Sequence, residues 1–131
     1  MKPTLKLLQK KADSSWSLYI RKRDANFAGT VRCVTCGHRE HWKEFDCGHY
    51  LSRRFLSVRY DERNTAPQCR NCNRVRQGEE MRMLMYLERK YGKEAIEQME
   101  MLGHKVIMDK RGFLLDQIDR INLLLNAKTK Q

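Results

Sequence analysis

Two short stretches decide the fold: Val31-Arg-Cys-Val-Thr-Cys-Gly37 and Pro67-Gln-Cys-Arg-Asn-Cys-Asn73, with Asp46-Cys-Gly-His49 lying between them. In each flanking stretch the two cysteines are separated by two residues, a spacing that lets both thiolates reach one ion from a single turn. Two such pairs supply the four soft, tetrahedrally placed ligands of a structural zinc site, so Cys33, Cys36, Cys69 and Cys72 are assigned to one Zn²⁺. Four unrelated buried thiols would require two coincidences of spacing. Disulfides fit poorly, because the chain has five cysteines, an odd number, and paired spacing of this kind in a reducing compartment reads as metal ligation. The fifth, Cys47, reads as a small, half-buried apolar side chain. A zinc site of this kind does not by itself imply catalysis.

Outward from this centre the hydrophobic pattern is helical at both ends. Upstream, Leu5, Leu8, Ala12, Trp16, Tyr19 and Ile20 recur at three- and four-residue steps, which predicts an amphipathic helix closing at Gly29. Its other face carries Lys6, Lys10, Lys11, Arg21, Lys22 and Arg23, either a phosphate-contacting surface or a solvated one. The Val31–Gly37 stretch reads as an extended run entering a tight knuckle. One strand is expected within Trp42–Leu51, ending near His49 and Tyr50, then a loop over Ser52–Glu62 and a second strand over Arg63–Pro67. After Cys72 a helix is expected to run on to Tyr91 and Gly92 with Met81, Leu84, Met85 and Leu87 as core, followed by helices over Lys93–Leu102 and Phe113–Leu125. The stripe Leu114, Ile118, Ile121 and Leu125 either packs within the chain or pairs two subunits. The expected fold class is α+β, a single domain made of a basic N-terminal helix (1–28), a zinc-bound core (29–92) and C-terminal helices (93–131), with no repeat or low-complexity linker.

Composition narrows the partners. Lysine and arginine total 27 against 16 acidic residues, a formal charge of +11 on 131 residues, and such self-repulsion points to a polyanion, most simply nucleic acid. No run approaches the roughly 20 apolar residues of a membrane span, and the basic start lacks the apolar core of a signal peptide. A soluble, cytoplasmic protein without a membrane partner is therefore expected. Between His49 and Arg76 lie seven arginines and no lysine. The planar guanidinium suits bidentate phosphate contacts, so Arg53, Arg54, Arg74 and Arg76 are assigned to DNA binding by shape and backbone. Pairing of some of the seven with Asp61, Glu62, Glu79 or Glu80 is also expected.

A strand ending in a histidine, a loop, a strand bearing an asparagine and a helix supplying a metal ligand together resemble the HNH (ββα-metal, treble-clef-like) nucleases, including those with a cysteine-bound zinc. More specifically the sequence resembles the NinG/Rap family of phage recombination proteins. The similar text is Val31–Gly37, Cys47-Gly-His-Tyr-Leu-Ser-Arg-Arg54, Arg59-Tyr-Asp-Glu-Arg-Asn64 and Pro67–Asn73, with the helix from Leu5 and the segment Met83–Gly92; the last helix adds nothing to it. The resemblance implies an endonuclease acting on branched recombination intermediates, Holliday junctions and D-loops among them, in the host cytoplasm, with recombination proteins as partners. His49 is the expected general base, since an imidazole accepts a proton near neutrality, and Asn64 the residue that orients the loop and the His49 ring.

Asn73 and Asp46 are the expected ligands of a catalytic Mg²⁺ or Mn²⁺, cations that prefer oxygen donors. Two positions depart from the common pattern. Gly48 stands where many relatives carry an aspartate or histidine ligand, and Asn73 replaces the usual helical histidine. On a regular strand Asp46 points away from the His49 face, so a bulge at Gly48 would be needed to bring it round, and Gln77, one helical turn beyond Asn73, is a further oxygen donor. Symmetric cutting of a four-way junction suggests a homodimer, through Phe113–Leu125. Competing readings are a non-catalytic zinc-stabilised nucleic-acid-binding module, a less selective nicking endonuclease, and a protein-interaction adaptor.

Overall fold

Thr4 opens the first helix by accepting the Leu7 amide on its hydroxyl at 3.1 Å. The helix, α1, runs over Leu5–Arg23 in a computed structural model that describes residues 2–129. Leu8, Ala12, Trp16, Tyr19 and Ile20 form its buried face, while Lys6, Lys10 and Lys11 are exposed. Arg21, Lys22 and Arg23 fill its last turn, where positive charge complements the helix dipole. The helix stops well short of Gly29. Asn26 builds the intervening turn, its side-chain oxygen accepting the Ala28 and Thr30 amides at 3.0 Å each, and Gly29 follows with φ +85, where a Cβ would meet the His41 ring at 2.7 Å.

A hairpin follows: β1 (Thr30–Arg32) pairs antiparallel with β2 (Arg39–His41), Val31 facing Glu40. Gly37, at φ +84, donates its amide to the Cys33 carbonyl at 2.9 Å and closes the knuckle at the hairpin tip. After a 3₁₀ turn over Trp42–Glu44, β3 (Phe45–His49) pairs antiparallel with β4 (Thr65–Cys69). The strand expected within Trp42–Leu51 ends at His49 as read and starts only at Phe45. The one expected over Arg63–Pro67 starts instead at Thr65, because Asp61 accepts the Arg63 amide at 2.9 Å and winds Glu62–Asn64 into a 3₁₀ turn. Register is continuous from Phe45↔Cys69 to His49↔Thr65, so no bulge is formed at Gly48.

The chain leaves β4 through one π-helical turn, Asn71–Val75. Gln77 and Glu79 then take left-handed φ values of 57° and 48°, with Gly78 between them at 87°. Because of this break the helix does not run on from Cys72, and Gln77 is not one turn along a helix from Asn73. The second helix, α2, is Glu80–Tyr91, followed by α3 (Lys93–Gly103) and α4 (Lys110–Thr129). The methionine assignment changes with it: Met83 and Leu87 are buried, whereas Met81 and Met85 are 69% and 56% exposed.

Three apolar clusters hold these elements. Leu114, Ile118 and Ile121 of α4 pack on α1 together with Tyr60, and Leu125 borders them. Of the two readings of that stripe, packing within the chain is therefore the one its buried residues Leu114, Ile118 and Ile121 follow. Val58, Ala66, Met83, Leu87, Ile96 and Met99 join β4 and the loop before it to α2 and α3. Val31 and Phe45 pack around Cys33, Cys69 and Cys72. The Trp16 indole donates to the Thr65 hydroxyl at 3.2 Å, a buried bond that locks α1 to the start of β4. No helix among the described residues is long and apolar enough to cross a membrane.

Candidate functional site

The hairpin tip and the end of β4 bring the two cysteine pairs together, as their spacing led one to expect. The four Sγ atoms of Cys33, Cys36, Cys69 and Cys72 all lie within 4.8 Å of one another, and Cys36 and Cys69 are 3.7 Å apart. Tetrahedral zinc with Zn–S bonds of about 2.3 Å places its sulfurs about 3.8 Å apart, so the group fits and could hold a zinc ion. Backbone amides already point at the sulfurs: His38 N–H at 3.5 Å from Cys36 Sγ and Cys72 N–H at 3.4 Å from Cys69 Sγ. Burial opposes ionisation of Cys33, yet nearby backbone groups and the Thr35 hydroxyl bring its thiol down to about 6. Burial and neighbouring thiols push Cys72 up to about 12 and raise Cys69. A bound cation removes that conflict, because metal ligation deprotonates thiols outright.

Beside this centre lies a cleft of 510 Å³ bordered by Asp46, His49, Asn73 and Arg74, with Asp13 and Tyr60 on the α1 side. His49 closes β3 and its Nε2 sits 2.9 Å from the Arg59 carbonyl. A carbonyl only accepts, so Nε2 carries the proton and Nδ1 keeps its lone pair; Nδ1 has no partner among the described residues. Burial drives the His49 pKa down to about 4, which the Arg59 carbonyl only partly offsets. The ring is therefore neutral near pH 7, a base with one nitrogen pinned and the other free.

Asn64, fully buried, holds the loop behind that ring. Its Oδ1 accepts the Leu51 amide at 2.7 Å, and its Nδ2 donates to the carbonyls of Val58 at 3.1 Å and Leu51 at 3.3 Å. It does so from the 3₁₀ turn before β4, not from the strand itself. Its hold on His49 is indirect, through the backbone of the 51–58 loop. Arg59 and Asp13 complete the support and were not singled out in the sequence. The Asp13 carboxylate accepts from Arg59 Nε at 2.8 Å and Nη2 at 2.6 Å, and from the Tyr60 hydroxyl at 2.7 Å. The available signal was an isolated acid beside the apolar stripe of an otherwise basic helix.

Asp46 and Asn73 meet even without a bulge. Asn73 Nδ2 donates to Asp46 Oδ2 at 2.9 Å, and Arg74 grips both Asp46 oxygens at 2.9 Å. Burial alone would raise the Asp46 carboxyl; the bonds from Arg74 and Asn73 and the charges of Arg74 and Arg70 carry it below its ordinary value. The two oxygen-bearing side chains suit a hard divalent cation, although Arg74 would have to yield part of its grip. Gln77 also borders the cleft, brought there by the left-handed turn.

Gly48 has a physical reason. A Cβ there would lie 2.4 Å from Gln68 Oε1 and 2.9 Å from Met83 Cε, so a side chain at this position would require the ends of Gln68 and Met83 to shift. Gln68, fully buried, donates from Nε2 to Thr35 in the knuckle at 3.1 Å and to the Gly78 carbonyl at 2.7 Å. It thereby ties the cysteine centre to the strap that borders the cleft.

The arginines divide. Arg59, Arg63, Arg70, Arg74 and Arg76 are paired with Asp13, Asp61, Glu44, Asp46 and Glu79. Of the four assigned to DNA, Arg74 and Arg76 thus already hold carboxylates. Arg53 and Arg54 are exposed and form no ion pair among the described residues, Arg53 acting on Asp13 only through its charge.

The family model described as Bacteriophage Lambda NinG protein matches residues 2–131. The chain belongs to the NinG family. The NinG match extends through α4, which the sequence resemblance had left out. Among individual proteins, the chain is 30% identical over 92 residues to Protein ninG of Escherichia phage 933W, covering 70% of this chain and 43% of that protein. It is 29% identical over the same length to Protein ninG of Escherichia phage lambda and of Salmonella phage P22, with the same 70% and 43% coverage. The matched stretch spans less than half the length of these NinG relatives. No solved structure matches the chain.

Proposed function

We propose that this NinG-family protein is a metal-dependent DNA endonuclease of the HNH (ββα-metal) class, acting on branched recombination intermediates such as Holliday junctions and D-loops in phage recombination. One observation carries the reading: His49 offers a free Nδ1 in the cleft where Asp46 and Asn73 meet, with its Nε2–H fixed on the Arg59 carbonyl. The β3–β4 ribbon running into the turn that bears Asn73 supports this reading.

In this reading His49 Nδ1 takes a proton from the attacking water, and the Nε2–H bond to Arg59 keeps the ring in the required tautomer and orientation. Asn64 fixes the loop that supplies that carbonyl. Asp46 and Asn73 would hold Mg²⁺ or Mn²⁺, which stabilises the charge developing on the phosphate and the leaving oxygen. Arg53 and Arg54 grip flanking phosphates, and the four cysteines hold a zinc ion whose role is structural. Branch preference is the substrate class that the family resemblance brings, and +11 suits any DNA form.

A second reading, a zinc-stabilised module that binds nucleic acid without cutting it, draws on the bidentate hold of Arg74 on Asp46. Nicking of supercoiled plasmid by zinc-loaded protein in Mg²⁺ or Mn²⁺ separates the two. The nuclease reading expects metal-dependent nicking that falls at least about 10²-fold in His49→Ala while DNA binding persists. Binding with no cutting under any divalent ion would establish the second.

A further inference from the structure

A second groove, of 630 Å³, opens between the start of α1, the loop after His49 and the α3–α4 connection, and it shares Arg53 with the cleft. Lys6, Arg53, Arg54, Lys105 and Lys110 border it, and none of its lining residues is acidic. None of these five cations forms an ion pair among the described residues, unlike most of the arginines around the cleft; Arg53 feels the Asp13 carboxylate only through its field. The floor is apolar and contains an aromatic ring. Phe55 is half-buried, the Arg54 guanidinium carbon lies 4.8 Å from its centroid, and the His104 ring meets it nearly edge-on, at 6.2 Å and 77°.

We propose that this groove binds an unpaired DNA strand as it leaves the cleft, with phosphates on the lysines and arginines and a base stacked in the Arg54–Phe55–His104 cluster. The direction of the strand rests on the nuclease reading; the groove's capacity to bind does not. A duplex hides its bases, so its backbone would use the rim and leave the apolar floor idle. An unpaired strand uses both, since its bases expose π-faces that stack on aromatic rings and on guanidinium planes. An exposed arginine lying on an aromatic face without a carboxylate partner is a cover that a base can displace or extend. Continuity with the cleft through Arg53 favours nucleic acid over an acidic peptide, and a branch point is where duplex gives way to separable strands.

The test is fluorescence anisotropy of a labelled single-stranded oligonucleotide and its matched duplex with the zinc-loaded full chain. Lys105→Glu/Lys110→Glu is expected to weaken single-strand binding at least about tenfold and to flatten its salt dependence, which scales as roughly 0.7 per phosphate contacted. Phe55→Leu, which keeps the volume and removes the π-face, is expected to weaken the single strand about fivefold or more and the duplex little. Phe55→Trp is expected to retain binding and to show added fluorescence quenching on single-strand addition, a readout that misfolding cannot imitate.

Single-strand binding unchanged in the charge and Leu variants, or an unquenched Phe55→Trp, overturns the proposal. Equal losses for single strand and duplex in Phe55→Leu do so as well. Cleavage, scored separately with His49→Ala, keeps the two readings apart. Groove-dependent single-strand binding by a protein that cuts nothing supports the groove and removes the nuclease. Normal cutting with indifferent groove variants removes the groove alone.

Discussion

At the scale of residues, the state of His49 follows from where its protons can go. Nε2–H is committed to the Arg59 carbonyl and burial keeps the ring neutral, with a pKa brought down to about 4 against an ordinary 6.5. In the unfolded chain the same histidine protonates near 6.5, so between about pH 6.5 and 4 the unfolded state binds a proton that the folded state refuses. Stability from this group is complete above 6.5 and is lost as the pH falls toward 4. Denaturation at steps across that window should show a slope in the wild type that is reduced in His49→Gln, the carboxylates titrating alike in both. Asn64→Ala should cost about 2–3 kcal/mol, because it strips one buried amide and two carbonyls of their partner; urea titration measures it, and a change within about 0.5 kcal/mol would deny Asn64 its hold on the loop. The cluster of four cysteines was readable because spacing alone encodes it. Asp13 was not, since its partners Arg59 and Tyr60 lie 46 and 47 residues away and only tertiary packing joins them.

At the scale of elements, α1, α3 and α4 could be read from period because each buries one continuous stripe. Of the hairpin β1–β2 only the extended run at Val31 was legible: β2 has three residues, all exposed, so no alternation marks it. The helix expected after Cys72 breaks instead at Gln77–Glu79, where non-glycine residues adopt left-handed φ values that no propensity argument anticipates. That break resets the helical phase, which is why Met83 and not Met81 faces the core. Accordingly Met83→Ala should cost about 2–5 kcal/mol and Met81→Ala less than about 0.5 kcal/mol in chemical denaturation; equal costs would contradict the phase. Metal analysis should return one zinc per chain. Chelation should speed hydrogen exchange in β1, β2 and the Cys69 end of β4 before it reaches the α1–α4 pair, which packs without the cysteine centre. Metal-free protein with unchanged exchange would rule out a structural role for the ion.

At the scale of the molecule, residues far apart in sequence build the surroundings of the cleft. α1 supplies Asp13, and α4 supplies Arg120, which donates to the Tyr60 carbonyl next to Arg59. The terminal helices thus brace the loop behind His49 from outside the segment that carries the four clustered cysteines. Pairing of α1 with α4 was not legible, because two amphipathic stripes do not declare whether they meet each other or a second chain. The formal charge of +11 suits a polyanionic partner. The most direct test is cleavage of matched four-way-junction, flap and linear duplex DNA by zinc-loaded wild type and His49→Ala, in Mg²⁺ or Mn²⁺ and then with chelator. The expected result is metal-dependent cutting of the branched forms that disappears in His49→Ala while binding persists. Tight binding of all three substrates with no cutting of any would contradict it.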